Sequence, residues 1–306
     1  MLSINLAPTF CVQSHMLKFL IASCLLAFSF CTRAEVLRDV PYCTNNGVVL
    51  KLDLYLPDNK PSKPMPLAVF VHGGGWVQGS KAGGLWLQNV RTELNKRGYV
   101  VASVDYRLAP QYKWPLFMND VKCSIRFLCA NARKYRIDPK HIGAWGTSAG
   151  GHLVAMLGTT DKKDKLEGDH YKGQSSAVQA VVDMFGPSDM PLLVSERQHV
   201  QRANIVFGVD LEENGMTNDF LLKQASPVEH VSKKSAPTLI IHGERDELVH
   251  MNQAEVFFDK LKATGVPARL IIVKNGTHGL ATPNIDPSRE ELVKTIADFF
   301  DQYLKK

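Results

Sequence analysis

The chain has 306 residues, 45% of them hydrophobic and 22% charged, and its formal net charge is +6. These proportions are those of an ordinary globular protein, which argues against a disordered chain and against a multi-span membrane protein. The length suits one large α/β domain, and no block of Lys or Arg is longer than a pair, which argues against a nucleic-acid partner.

The first 34 residues have the pattern of an export signal. Lys18 supplies a positive charge, an apolar run follows at 19–30, and small residues surround a cleavage position at 32–34. A transmembrane anchor is the alternative, but the run is shorter than the roughly 20 residues that a bilayer needs. We expect removal of residues 1–34, with Met16 as an alternative start, leaving a periplasmic or secreted protein that begins near Glu35 and has no stable membrane span.

Lipid anchoring is a weaker interpretation of the same segment. The residues that end at Cys24 resemble a bacterial lipoprotein box, but apolar sequence continues beyond Cys24 to Phe30. Cleavage after residue 34 removes Lys18 and Arg33 and no acid, so the formal net charge falls from +6 to +4. This is a mild excess of positive charge.

Three of the six cysteines remain after this cleavage, namely Cys43, Cys123 and Cys129. An odd number leaves at least one thiol free or intermolecular. Cys123 and Cys129 are six residues apart in a predicted helix and point to different faces, so no bond is expected between them. Cys43 is the better member of any disulfide, and three buried free thiols are an equally good alternative.

Beyond the signal, strand patterns alternate with helix patterns. Residues 48–56 alternate with the period of two of a half-buried strand near a sheet edge, and a proline-rich turn follows at 58–66. Apolar runs typical of parallel strands buried on both faces occupy 67–71, 99–104, 141–145, 177–185, 237–241 and 269–273. Helical spacing occupies 85–97, 116–135, 149–158, 253–264 and 289–304. This order predicts an α/β fold, with a mostly parallel central sheet covered by helices on both faces.

Residues 187–236 interrupt this alternation. They contain no buried strand, only polar sequence and helical patterns at 200–207 and 220–224. Ligands bind beyond the carboxyl ends of the strands in open parallel sheets, and this segment follows the strand at 177–185. Within one domain at 35–306 we therefore expect a lid-like or cap-like insertion, with a surface excursion that does not touch substrate as the alternative.

Ser148 is the predicted nucleophile. It lies in Gly146-Thr147-Ser148-Ala149-Gly150, a G-x-S-x-G pattern that is common by chance. Here the pattern follows the strand at 141–145 and opens the helix at 149–158, which is the strand–turn–helix setting of a nucleophile elbow. A serine that merely caps the helix is the alternative.

A serine hydroxyl needs a base to take its proton as it attacks. In a fold with this elbow, the acid and then the histidine follow the nucleophile in the chain. His278 lies in a glycine-flanked loop directly after the strand at 269–273, at the predicted catalytic end of the sheet. His242 and His250 compete with it, but His242 ends a strand and is expected to support a turn.

A buried carboxylate must hold the tautomer of that histidine and balance its charge. Asp246 lies in the loop after the strand at 237–241, where this acid belongs. Glu244 and Glu247 are rivals by proximity, and the alternative role for both is a solvated surface.

The sequence His72-Gly73-Gly74-Gly75-Trp76 follows the strand at 67–71 and fits an oxyanion loop. We predict that the amides of Gly74, Gly75 and Ala149 stabilise the oxyanion, and that His72 braces the loop. A phosphate-binding loop is the alternative, but the G-x-x-x-x-G-K-[ST] spacing is missing. No cofactor or metal is implied, because neither H-E-x-x-H nor paired C-x-x-C occurs.

These motifs resemble the esterase and lipase branch of the α/β-hydrolases, and most closely the BD-FAE-like domain of xylanolytic esterases. The resemblance runs nearly end to end. Besides the glycine loop and the elbow with His152, it is carried by Asp105-Tyr106-Arg107-Leu108-Ala109-Pro110, residues 137–145, Phe185-Gly186-Pro187-Ser188-Asp189, Ala225-Ser226-Pro227, Ile241-His242-Gly243 and Thr277-His278-Gly279.

The resemblance implies the same Ser148, Asp246 and His278, with oxyanion amides in the loop at 72–75. It further implies a serine carboxylesterase that acts on short acyl or aryl esters through an acyl-enzyme, with acetyl groups on xylan and feruloyl esters of plant cell walls among its substrates. Hormone-sensitive-lipase-like esterases are similar in layout but have a large helical cap before the first core strand. Only about 30 mature residues precede Leu67, so access would be shaped by the insertion instead.

Other functions fit the same fold less well. Lipases and peptidases use the same triad, but such peptidases usually add a large N-terminal module that this chain does not hold. A non-catalytic binding relative is a further alternative, against which the filled triad positions and the glycine loop argue. The acyl and alcohol specificity and the oligomeric state do not follow from the sequence.

Overall fold

The structure, a computed structural model, describes residues 35–58, 61–208 and 219–305. The predicted signal at 1–34 lies outside these residues. The strands are β1 (Val36–Asn45), β2 (Val48–Tyr55), β3 (Met65–Val71), β4 (Val100–Val104), β5 (Ile137–Thr147), β6 (Ala180–Met184), β7 (Thr238–Gly243) and β8 (Ala268–Val273). The helices are α1 (Leu85–Lys96), α2 (Leu116–Ala130), α3 (Ala132–Tyr135), α4 (Ala149–Thr159), α5 (Met190–Val194), α6 (Arg197–Phe207), α7 (Asp219–Gln224), α8 (Pro227–His230), α9 (Asn252–Thr264) and α10 (Arg289–Leu304).

The strands form one eight-stranded sheet in the order β1-β2-β4-β3-β5-β6-β7-β8. The pairs β1–β2 and β2–β4 are antiparallel, and all other neighbours are parallel. The predicted fold class is therefore confirmed. Among the helices of the described ranges, none has both the length and the apolar character that crossing a bilayer requires.

The two faces of the sheet are both covered. Along β3, Leu67, Val69 and Val71 pack into the core beneath α2 and α4, while Ala68 and Phe70 point into the core beneath α1 and α10. Successive side chains of a strand point to opposite faces, so a strand buried on both faces must be apolar throughout. This is why the central strands were recognisable as continuous apolar runs.

The strand register brings the loops of the predicted site to the same edge of the sheet. Val71 pairs with Gly146 at the ends of β3 and β5, and Thr147 pairs with Met184 at the end of β6. Gly243 pairs with Val273 where β7 and β8 end. The chain segments after these five strands therefore leave the sheet side by side.

The edge strand β1 was absent from the sequence prediction. Most of its residues are exposed or half-buried, and its pairing with β2 shifts register between Leu37 and Val40 and again between Pro41 and Cys43. These irregularities destroy the period-two pattern from which a strand is recognised. The predicted strand at 48–56 lies one position in from this edge.

Cys43 of β1 and Cys123 of α2 form a disulfide, and Cys129 is a free cysteine. Cys43 is thus a disulfide member, and the alternative of three free thiols is wrong. Burial raises the pKa of the Cys129 thiol to about 11, so it stays protonated at neutral pH. The bond fastens the irregular edge strand to a helix that packs on the centre of the sheet.

Candidate active site

Ser148 occupies a sharp turn between β5 and α4. Its φ of +54° lies in the left-handed region, where a residue with a side chain is strained by about 1–3 kcal/mol. Neighbouring glycines make the turn possible, since a Cβ on Gly150 would lie 2.1 Å from the carbonyl oxygen of Val71. A Cβ on Gly146 would lie 2.3 Å from the carbonyl oxygen of Gly150. The predicted elbow geometry is present, and it presents Ser148 to a cavity beyond the end of β5.

The structure brings the three predicted triad side chains together. The Ser148 hydroxyl lies 2.9 Å from Nε2 of His278, and Nδ1 of His278 lies 2.8 Å from Oδ2 of Asp246. The loops that follow β7 and β8 supply Asp246 and His278. Both distances are those of good hydrogen bonds, so a proton on Ser148 has a direct path to the imidazole.

Asp246 is buried, and its carboxylate accepts several hydrogen bonds. Its Oδ1 accepts hydrogen bonds from the amides of Leu248 and Val249 at 3.0 and 2.9 Å. Burial alone would raise the pKa of this carboxyl, but the His242 ring, whose Nε2 lies 3.4 Å from Oδ2, and the hydrogen bonds from His278 and the Val249 amide outweigh burial and hold the pKa well below its usual range. The carboxylate is therefore charged at neutral pH and faces the imidazole.

The rival residues do not reach the nucleophile. Glu244 and Glu247 are exposed, and Glu244 accepts a hydrogen bond from the amide of Asn275. His250 is half exposed and pairs with Glu196 in the insertion. His242 is fully buried, and its Nε2 donates to the Val249 carbonyl at 2.7 Å, so it supports the turn that holds Asp246.

The glycine loop after β3 runs against the elbow. Gly74 and Gly75 have φ values of +111° and +59°, and they line the same cavity as Ser148 and Ala149. Within the described part of the chain, no group accepts a hydrogen bond from the amides of Gly74, Gly75 or Ala149. The three amides predicted to bind an oxyanion are thus available to a ligand.

Aromatic side chains hold this loop in place. The Tyr106 hydroxyl donates to the His72 carbonyl at 3.0 Å, and its ring stacks on the His72 ring with centroids 4.2 Å apart. Burial lowers the pKa of His72, whose Nδ1 donates to the Gly73 carbonyl at 2.7 Å. The structure places His72 as a brace and not within the triad.

His152 of α4 connects the loop to the insertion, a role that the sequence did not reveal. Nε1 of Trp76 donates to Nδ1 of His152 at 3.1 Å, and Nε2 of His152 donates to the Ala225 carbonyl at 2.7 Å. Complete burial lowers the pKa of His152 to about 4, so it is neutral and can accept at one nitrogen while donating from the other. In the sequence, the only indication that His152 matters is its position in the G-x-S-x-G-G-H pattern.

A cavity of about 470 Å³ lies in front of Ser148. Its walls are largely apolar and include Trp86, Phe185, Leu193, Leu248 and Val249. The insertion contributes residues of α5 and α6 to these walls, as a cap over the site would. Opening and closing of this insertion as a lid stays a prediction.

The sheet, the elbow and the geometry of the three side chains define an α/β-hydrolase fold. The chain belongs to the BD-FAE family, whose family model matches residues 52–261. Esterase LipC of Mycobacterium tuberculosis is 35% identical over 215 residues, which are 69% of this chain and 52% of LipC. The chain spans about half the length of the curated relatives it matches.

Solved structures share the fold over most of its length. A truncated carbohydrate esterase from gut microbiota superposes with a TM-score of 0.74 at 28% identity, covering 91% of this chain and 99% of that one. A propionate-bound thermophilic esterase from Thermogutta terrifontis gives a TM-score of 0.70 at 27% identity, covering 88% and 93%.

Proposed function

We propose that this chain is a serine carboxylesterase that hydrolyses short acyl or aryl esters through an acyl-enzyme. The observation that carries the proposal is the hydrogen-bonded series Ser148–His278–Asp246 beside three amides without an acceptor in the described residues. The esterase names of the relatives agree with it.

The chemistry follows from this arrangement. The Ser148 oxygen attacks the ester carbonyl carbon while its proton passes to Nε2 of His278, and Asp246 stabilises the imidazolium. The amides of Gly74, Gly75 and Ala149 stabilise the negative oxygen, each contributing about 3 kcal/mol in comparable sites. The bond from carbon to the alcohol oxygen then breaks, and His278 returns the proton to that oxygen. Water cleaves the acyl-enzyme by the same steps and releases the acid.

The substrate class is the finer part of the proposal. A mainly apolar cavity of about 470 Å³ in front of Ser148 suits the apolar part of an ester, and we propose short acyl chains or aromatic acids as its acyl groups. The gut-microbiota relative is called a carbohydrate esterase, which supports esters of a carbohydrate as substrates of this chain. Acetyl or feruloyl groups on plant polysaccharide are the esters that we propose.

A substrate panel tests the proposal. We expect kcat/KM to be highest for 4-nitrophenyl acetate and butyrate and to fall steeply for decanoate, with release of acetate from acetylated xylan or of ferulate from methyl ferulate. Cleavage of peptide anilides without cleavage of any ester would contradict an esterase, and a preference for long acyl chains would indicate a lipase.

Export of the mature protein is part of the same proposal. The apolar run at 19–30 behind Lys18 supports it, as does the Cys43–Cys123 disulfide, because disulfides persist in oxidising compartments and are rare in the cytosol. We expect protein isolated from the producing cells to begin near Glu35 and to carry two of its three remaining cysteines in oxidised form. Cytoplasmic protein that retains residues 1–34 and has reduced thiols would contradict export.

A further inference from the structure

Arg202 places a cation in the wall of the substrate cavity. It lies on α6 of the insertion, and Gln198 and His199 of the same helix line the cavity beside it. Among the described lining residues there is no aspartate or glutamate. No carboxylate of this wall therefore neutralises the guanidinium charge.

The guanidinium lies against the oxyanion loop. A Cβ placed on Gly75 would be 2.8 Å from Nη1 of Arg202 and 3.4 Å from its Cζ. Since the Gly75 amide is one of the predicted oxyanion donors, the guanidinium stands beside the place where an ester carbonyl is held. A charged group on the substrate, a few bonds from that carbonyl, would come within its reach.

Other arginines of the fold contrast with Arg202. Arg107 is buried against Asp120, with Nε and Nη2 each 2.7 Å from a carboxylate oxygen, and Arg97 contacts Glu93, Asp298 and Asp301. Arg202 has no hydrogen bond or ion pair with any residue in the described ranges. Its donors are therefore free for a ligand.

We propose that Arg202 binds a carboxylate carried by the ester substrate, so that this chain prefers anionic esters to neutral esters of the same shape. The inference rests on the proposed esterase function and refines it. A planar guanidinium matches the two oxygens of a carboxylate, and a charged hydrogen bond is stronger than a neutral one. The apolar walls hold the remainder of the substrate.

Two matched pairs of esters test the inference. They also show whether the carboxylate that Arg202 binds belongs to the acyl part or to the alcohol part of the substrate. For the acyl side, the pair is the 4-nitrophenyl ester of glutarate with its second carboxyl free or methylated. For the alcohol side, the pair is 4-acetoxybenzoate and its methyl ester. The measured quantity is the ratio of kcat/KM for the acid to kcat/KM for its neutral partner, after subtraction of the uncatalysed rate.

We expect Arg202→Gln to lower this ratio about tenfold in at least one pair, and Arg202→Lys, which keeps the charge but not the planar donors, to lower it less. Arg197→Gln is the matched control, because Arg197 is an exposed arginine at the start of the same helix and does not line the cavity. In the wild type, raising the salt concentration to about 0.5 M should slow the acidic ester more than the neutral one, because salt screens charges.

The inference is overturned if Arg202→Gln hydrolyses the neutral esters and leaves both ratios at the wild-type value. An equal drop in the ratio for Arg197→Gln would also overturn it, because the effect would then come from surface charge in general. If the wild type hydrolyses none of the four esters, the proposed function itself fails and the inference with it.

Discussion

Ser148→Ala is expected to lower kcat for 4-nitrophenyl acetate by about three orders of magnitude or more, because it removes the hydroxyl that contacts His278 and that we propose forms the acyl-enzyme. Alanine keeps the Cβ of serine, so it fits the same backbone conformation at φ +54° and leaves the elbow intact. The fold is thus expected to survive, with an unchanged far-ultraviolet circular dichroism spectrum and an unfolding temperature close to that of the wild type.

Covalent labelling separates loss of the nucleophile from loss of substrate binding. A fluorophosphonate probe should label the wild type on Ser148 and leave Ser148→Ala unlabelled. Ser195→Ala is the control, because Ser195 is an exposed serine of the insertion outside the cavity lining. Turnover at the wild-type rate in Ser148→Ala would rule out the proposed mechanism.

Asp246→Asn is expected to lower kcat by about three to four orders of magnitude while changing KM much less. An amide keeps the shape of the carboxyl, but it presents no charge to the imidazolium and allows the wrong tautomer of His278. The large effect rests on burial, because solvent cannot replace the missing charge at a fully buried position.

Glu244→Gln and Glu247→Gln serve as matched controls for Asp246→Asn. Both glutamates belong to the same loop and are exposed, so each substitution should change kcat less than about twofold. If either control lost as much activity as Asp246→Asn, the assignment of Asp246 as the acid of the triad would be wrong.

The depressed pKa of Asp246 also predicts how stability depends on pH. A carboxyl whose pKa is lower in the folded state contributes stability above its unfolded pKa of about 4, and this contribution is lost as the pH falls through the folded value. Asp246→Asn should therefore show a weaker fall in unfolding temperature below about pH 4 than the wild type.

The central strands and the elbow could be predicted from the sequence, because each of them requires particular residue types. Strands buried on both faces must be apolar throughout, and the elbow around Ser148 must have glycines where a Cβ would collide with backbone. The triad order then restricted the choice of histidine and acid to a few loop residues.

The remaining features depend on contacts between distant parts of the chain. Spacing alone did not show that Cys123 faces β1, nor that His152 lies between Trp76 and Ala225. Arg202 lies in a helical stretch of mixed polarity, where the pattern does not reveal which polar side chain turns toward a cavity. Strand β1 was hidden by its polar residues and its irregular pairing.

The hydrogen bonds from Trp76 to His152 and from His152 to Ala225 connect the glycine loop to the insertion. They therefore limit which parts of the insertion can be exchanged to change the substrate. Residue 225 contributes through its main-chain oxygen, so the hydrogen bond does not depend on the side chain, but Ala225 is fully buried and a larger side chain there would disturb the packing. A foreign segment in place of residues 187–224 would keep the Ala225 carbonyl, provided that the new segment joined α8 with the same backbone path. Replacement of the entire segment 187–236 would also replace residue 225, and the new segment would have to bring a main-chain oxygen to the same place to keep the hydrogen bond to the buried imidazole.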